Sequence, residues 1–76
     1  MSVEARPLEW HDLFGGGWTV DCSECGEVWT ETTDDRDDLP RVEANAEAAA
    51  LLHEDNGHAP IVADLDGQPE VAPARK

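Results

Sequence analysis

At 76 residues the chain makes one domain at most, and it carries 18 Asp and Glu against 5 Lys and Arg, a formal net charge of −13. So small a domain usually needs a staple, a metal or disulfides, to supplement a modest core, and the aromatic content is only Trp10, Phe14, Trp18 and Trp29. No stretch approaches the roughly 18 apolar residues that span a bilayer, and residues 1–7 lack the hydrophobic centre of a signal peptide; a cytoplasmic protein without a membrane partner is expected.

Residues 1–9 are polar and include Pro7, and they predict a flexible arm ahead of a folded unit over 10–66. Trp10, Leu13 and Phe14 fit helical spacing for only about one turn. Gly15-Gly16-Gly17 then breaks any regular element and reads as a turn into the next strand. Trp18-Thr19-Val20-Asp21-Cys22 alternates apolar and polar residues, as does Glu27-Val28-Trp29-Thr30-Glu31. Two β-prone runs joined by Cys22-Ser23-Glu24-Cys25-Gly26 predict a hairpin, and Gly26 suits a position that needs positive φ. Trp18 and Trp29 flank this knuckle and are candidates for the small core, with Trp10 a candidate exposed anchor.

The aspartates between Thr32 and Asp38 read as a solvated loop, because they lack the alternate spacing, central glycine and distal Glu of a calcium loop. Asp37 or Asp38 could cap a helix whose first turn holds Pro40. Arg41 to Asn56 is the strongest helical segment, free of Gly and Pro. Val42, Ala46, Ala49 and Leu52 follow helical spacing, His53 continues that stripe, and Ala48 and Leu51 widen it. Gly57 is a natural stop. Ile61 to Leu65 predicts a short extra strand or a segment lying across the core, and residues 67–76 predict a disordered tail.

Cys22, Cys25, His53 and His58 together make a candidate metal site. In a reducing compartment a cysteine pair in a small chain is more often metal-binding or catalytic than a structural disulfide. Zinc takes four thiolate or imidazole ligands at tetrahedral corners, and two thiolates with two imidazoles favour zinc over iron. Residues five apart on an ideal helix lie about 140° apart around the axis, so His53 and His58 converge only if the helix breaks between them, which is where Gly57 stands. His11 is a spare histidine that could replace one ligand. A thioredoxin-like site would start a helix after the second cysteine, whereas Val28-Trp29-Thr30 reads as strand. His53-Glu54-Asp55-Asn56-Gly57-His58 misses the zinc-peptidase spacing by one residue, and Gly15-Gly16-Gly17 lacks the lysine of a phosphate loop.

The pattern Cys22-x2-Cys25-x27-His53-x4-His58 resembles the two-Cys, two-His zinc finger over about residues 18–58, with a central spacer of 27 residues in place of the usual 12 or so. Cys22-Ser23-Glu24-Cys25-Gly26 is also similar to the Cys-Pro-x-Cys-Gly knuckle of small zinc-ribbon-like proteins of haloarchaea, with Ser23 in place of proline, and the acid-rich, lysine-poor composition resembles proteins of salt-accumulating halophilic archaea. The resemblance implies an α+β fold, a zinc-stapled ββα finger of one hairpin and one helix, with one structural zinc on Cys22, Cys25, His53 and His58. A regulatory interaction module rather than an enzyme is expected, because so small a domain has no pocket for chemistry and a closed four-ligand shell leaves no place for a catalytic water. A monomer binding a protein partner, with no small-molecule substrate, is the expected role. The alternative is nucleic-acid binding, common among such fingers, for which this helix offers one basic residue, Arg41, and a net charge opposed to phosphate.

Overall fold

A computed structural model describes residues 3–72. Three antiparallel strands, β1 (Val3–His11), β2 (Gly15–Cys22) and β3 (Gly26–Thr33), form a sheet in the order β1-β2-β3. A short 3₁₀ turn over Arg36–Asp38 leads into helix α1 (Leu39–Asp55), and β4 (Ile61–Ala63) pairs antiparallel with β5 (Pro69–Val71) as a small separate hairpin. The chain is thus a small α+β unit in which one helix covers one sheet.

The core lies between helix and sheet. Val20 and Trp29 stand opposite one another on β2 and β3 and form one cluster with Ala46, Ala49 and Ile61. Val20, Val42, Ala46 and Ala49 are fully buried, at 0 % exposure. The alanines let the helix backbone approach the sheet closely, and Trp29 supplies most of the apolar bulk, as its size dictates.

Several elements differ from the sequence reading. The expected two-stranded hairpin is β2–β3 of a three-stranded sheet, extended on the β2 side by β1. Residues 3–9, expected as a flexible arm, belong to β1, whose Val3 pairs with Cys22 and whose Leu8 pairs with Gly17; Met1 and Ser2 lie outside the described residues. As an edge strand β1 accommodates Pro7, since one side of its backbone needs no ladder partner. Gly15-Gly16-Gly17 is not a turn but the start of β2, and a Cβ on Gly17 would overlap the Glu31 carbonyl oxygen, so the close approach of β3 requires glycine there. Of the tail over 67–76, residues 69–71 form β5, while 73–76 lie outside the described residues.

The helix begins two residues earlier than its periodicity implied. Asp38 precedes it without a side-chain cap bond and instead binds Arg41 through both carboxylate oxygens, at 2.8 and 2.6 Å. The cap in this stretch belongs to Asp35, whose carboxylate accepts from the Asp37 amide at 2.9 Å. The buried face is Val42, Asn45, Ala46, Ala49 and His53. Leu51 is 60 % exposed at the rim of the helix beside Val3 and Ala5 of β1, and Asn45 takes a buried place by donating to Glu31 Oε1 at 3.0 Å. Trp29 is the only tryptophan in the buried core; Trp18 is half-buried opposite Glu31, and half-buried Trp10 carries the Arg36 guanidinium over its ring at 4.7 Å.

Candidate metal centre

The β2–β3 turn positions the two sulfurs. Cys22 ends β2 and pairs with Gly26, the first residue of β3, whose φ of +85° closes the turn. Cys22 is buried against the end of the helix, and Cys25 lies on the exposed rim of the turn. The backbone amide of Glu24, and behind it that of Cys25, point at the Cys22 sulfur. With help from the His53 and His58 rings they hold its pKa at about 6, below the ordinary 9.0 and against the effect of burial. Cys25 moves the other way, raised by loss of water around the thiol and by the neighbouring Cys22. A cation between the two sulfurs removes this conflict, because metal binding displaces thiol protons.

The helix end positions the two imidazoles. His53 sits on the buried stripe with 2 % exposure. The chain then leaves the helix through two successive left-handed residues, Gly57 at φ +69° and His58 at φ +63°. The His58 amide donates to the His53 carbonyl at 2.7 Å, the six-to-one closure of a Schellman cap. Glycine adopts this conformation without strain, whereas histidine pays for it, so the second ligand position rests on a strained backbone.

These elements bring Cys22, Cys25, His53 and His58 together, with one donor atom from each, all within 4.8 Å of one another. The three separations measured from His58 Nδ1 are close to tetrahedral edges. Ligand distances of 2.3 Å for sulfur and 2.0–2.1 Å for nitrogen require edges of about 3.3 Å between nitrogens and about 3.6 Å between nitrogen and sulfur. His58 Nδ1 lies 3.1 Å from His53 Nε2, 3.3 Å from Cys22 Sγ and 3.8 Å from Cys25 Sγ. Two nitrogens and two sulfurs converging at these distances could hold one metal ion, and the donor set is consistent with zinc.

One group was not foreseen in the sequence. The His53 Nδ1 donates to the Ala59 carbonyl at 2.8 Å, which leaves the lone pair of Nε2 facing the other donors. Orienting carbonyls of this kind commonly support metal-binding histidines. The same carbonyl, followed by the Cys22 sulfur, raises the His53 pKa although burial pulls it down. No local signal marks Ala59; it reaches His53 only because the chain folds back after His58. The structure places His11 elsewhere, at the end of β1 opposite Gly15, with its ring 4.9 Å from that of Phe14 and its Nδ1 accepting from the Leu13 amide.

Fold and site together define a small α+β module with a two-Cys, two-His metal-binding cluster. Compared with known proteins, the chain matches no family model, no curated protein and no solved structure.

Proposed function

We propose that the chain is a structural-zinc interaction module without catalytic function, which acts in regulation by binding a protein partner. The observation that carries this reading is the convergence of four protein donors within 4.8 Å of one another, with His58 Nδ1 at near-tetrahedral distances from the other three. Four such ligands complete a zinc shell and leave no coordination position for a reacting water. Zinc on Cys22, Cys25, His53 and His58 ties the β2–β3 turn to the end of α1, so the metal supports a surface instead of a reaction. Away from the site, Leu13 and Phe14 at the β1–β2 turn are 81 % and 76 % accessible, and Leu65 at the β4–β5 turn is also exposed. Exposed apolar side chains rimmed by charge suit docking to a protein. The excess of carboxylates suits a high-salt archaeal cytoplasm, where a Debye length of about 3 Å at 1 M salt suppresses self-repulsion.

The basic side chains of the described residues weigh against nucleic acid. Arg6 is paired with Asp21, Arg41 with Glu31 and Asp38, and Arg36 lies over Trp10. Phosphate contacts would have to break these pairs, on a chain of net charge −13.

The test uses zinc-loaded protein in high potassium chloride. Native mass spectrometry is expected to find one zinc per chain, and affinity capture from the source cell a stoichiometric protein partner. Fluorescence polarisation with labelled DNA and RNA is expected to stay flat; a saturable nucleic-acid complex in the absence of any protein partner would reverse the reading.

A further inference from the structure

We propose that the free edge of β3, in the groove facing β4, takes up an extended basic segment of a partner protein as an added strand. This rests on the protein-partner reading above and gives it a place and a chemistry.

Among the described residues no strand pairs with the outer side of β3, which is the last strand of its sheet, and β4 belongs to a separate two-stranded sheet. The two edges face one another across a groove of about 520 Å³, lined by residues 27–31 of β3 and 61–63 of β4. A sheet edge presents unpaired N–H and C=O groups, and addition of a peptide strand is a recurrent way of satisfying them. From Trp29 to Thr33 the pairing of β3 with β2 is regular, so this part of the edge is straight enough to template a partner strand.

The groove has further features of a built surface. Its floor contains Val28, Trp29 and Ile61, two of them buried core residues. The Trp29 indole Nε1–H is buried and has no acceptor among the described residues. Buried tryptophan N–H groups normally find one, and Trp29 is among the residues that line this groove.

Charge selects the occupant. The lining residues include no lysine or arginine; Glu31 is already paired with Arg41, and Glu27 is the carboxylate on β3 that faces no cation among the described residues. Asp64 and Asp66 follow β4 in the β4–β5 turn. A second copy of the chain would set the same carboxylates against one another, and like charges on adjacent strands are unfavourable. A strand with alternating basic and apolar residues matches both the acidic walls and the apolar floor, since alternate side chains of a strand face opposite sides.

The test is a titration of zinc-loaded, isotopically labelled protein with a blocked hexapeptide of alternating lysine and valine, at the lowest potassium chloride concentration that preserves the native amide spectrum. Shift changes and slowed amide exchange are expected over residues 27–33 and 61–63. A peptide of equal charge, N-methylated at alternate residues, is expected to bind at least tenfold more weakly, because it cannot form the ladder. Glu27→Lys and Val62→Arg are expected to weaken binding at least tenfold and Leu51→Ser, on the exposed face of α1, to leave it unchanged, with native spectra in all three. Equal binding of the methylated peptide would reduce the effect to bulk charge and overturn the proposal. So would shifts confined to α1 or the β1–β2 turn, although the protein-partner reading would then survive at another surface. Concentration-dependent dimerisation through residues 27–33 would assign the edge to a second copy instead.

Discussion

Removal of the metal is the perturbation that tests the site most directly. A zinc ion on the four donors would close a loop from Cys25 at the end of the turn to His53 on the helix, 27 intervening residues. A cross-link around a loop of about 30 residues removes roughly 3–4 kcal/mol of unfolded-state entropy at 25 °C, if a metal clip is treated as a disulfide would be. Binding free energies of structural zinc run higher, about 10–16 kcal/mol at pH 7. Small domains have only about 5–15 kcal/mol of total stability, and here the fully buried side chains are small apart from His53, Val20 and Val42. Even the lower figure corresponds to a drop in Tm of roughly 15–30 °C for a chain of this size; the upper figure unfolds it. The assay is thermal unfolding by circular dichroism in high potassium chloride, with and without a strong chelator, paired with an amide correlation spectrum of the chelated protein. If Tm moves by less than about 5 °C, in a size class where 1 kcal/mol shifts it by 4–8 °C, and the amide spectrum stays dispersed, the metal does not hold this fold together and the reasoning is wrong.

Exchanging single side chains separates the site from its neighbourhood. Cys25→Ser is expected to lower zinc affinity by well over tenfold in a competition titration, while His11→Ala, remote beside Phe14, retains one zinc per chain; equal loss in both would place a ligand at His11. Gly17→Ala drives a methyl group into the Glu31 carbonyl and is expected to cost about 1–3 kcal/mol in urea unfolding, the range for overpacking; unchanged stability would mean that β2 and β3 lie further apart. Asn45→Ala leaves Glu31 without one of its two partners and is expected to destabilise by about 1–2 kcal/mol, measured the same way. Asp38 is held below its ordinary 3.8 chiefly by the Arg41 hydrogen bonds, so its contribution is present above that value and fades as pH falls through the lowered one. Asp38→Asn is accordingly expected to unfold more readily than the parent at pH 6 and to converge with it on strong acidification; a difference independent of pH would show that the carboxylate charge is not what matters.

Much of the candidate site was legible because its signals are local. The x2 spacing of Cys22 and Cys25 with Gly26 behind them specifies a turn with two sulfurs on one side, whatever packs around it. The alternating runs on either side specify strands. Between His53 and His58 the helical rotation of about 140° demands a break, and Gly57 supplies one. Less legible was how the break is made. His58 itself takes a left-handed φ of +63°, a conformation that no sequence rule assigns to histidine and that the His53 carbonyl and the converging donors hold in place. The Ala59 carbonyl was equally hidden, since a backbone acceptor leaves no mark in residue types.

The errors were in elements whose partners are distant in sequence. Residues 3–9 looked like an arm because Glu4, Arg6, Pro7 and Glu9 carry little apolar pattern; they are a strand because β2 offers them a ladder from Val3–Cys22 onward. Leu51 looked like part of the buried stripe and is 60 % exposed, while Asn45, which carries no apolar signal, is buried because Glu31 reaches it from β3.

By itself, then, the sequence determined the acidic surface, the four donors, the turn that carries two of them, and the helix and stop that carry the others, because each depends on residues within a few positions of one another. Tertiary structure alone decided that the sheet has three strands, that β4 and β5 pair, that His58 returns to meet Cys22 at 3.3 Å, and that β3 is left with an open edge. Strand pairing and ligand closure join segments tens of residues apart, and only the packed chain specifies which backbone lies beside which.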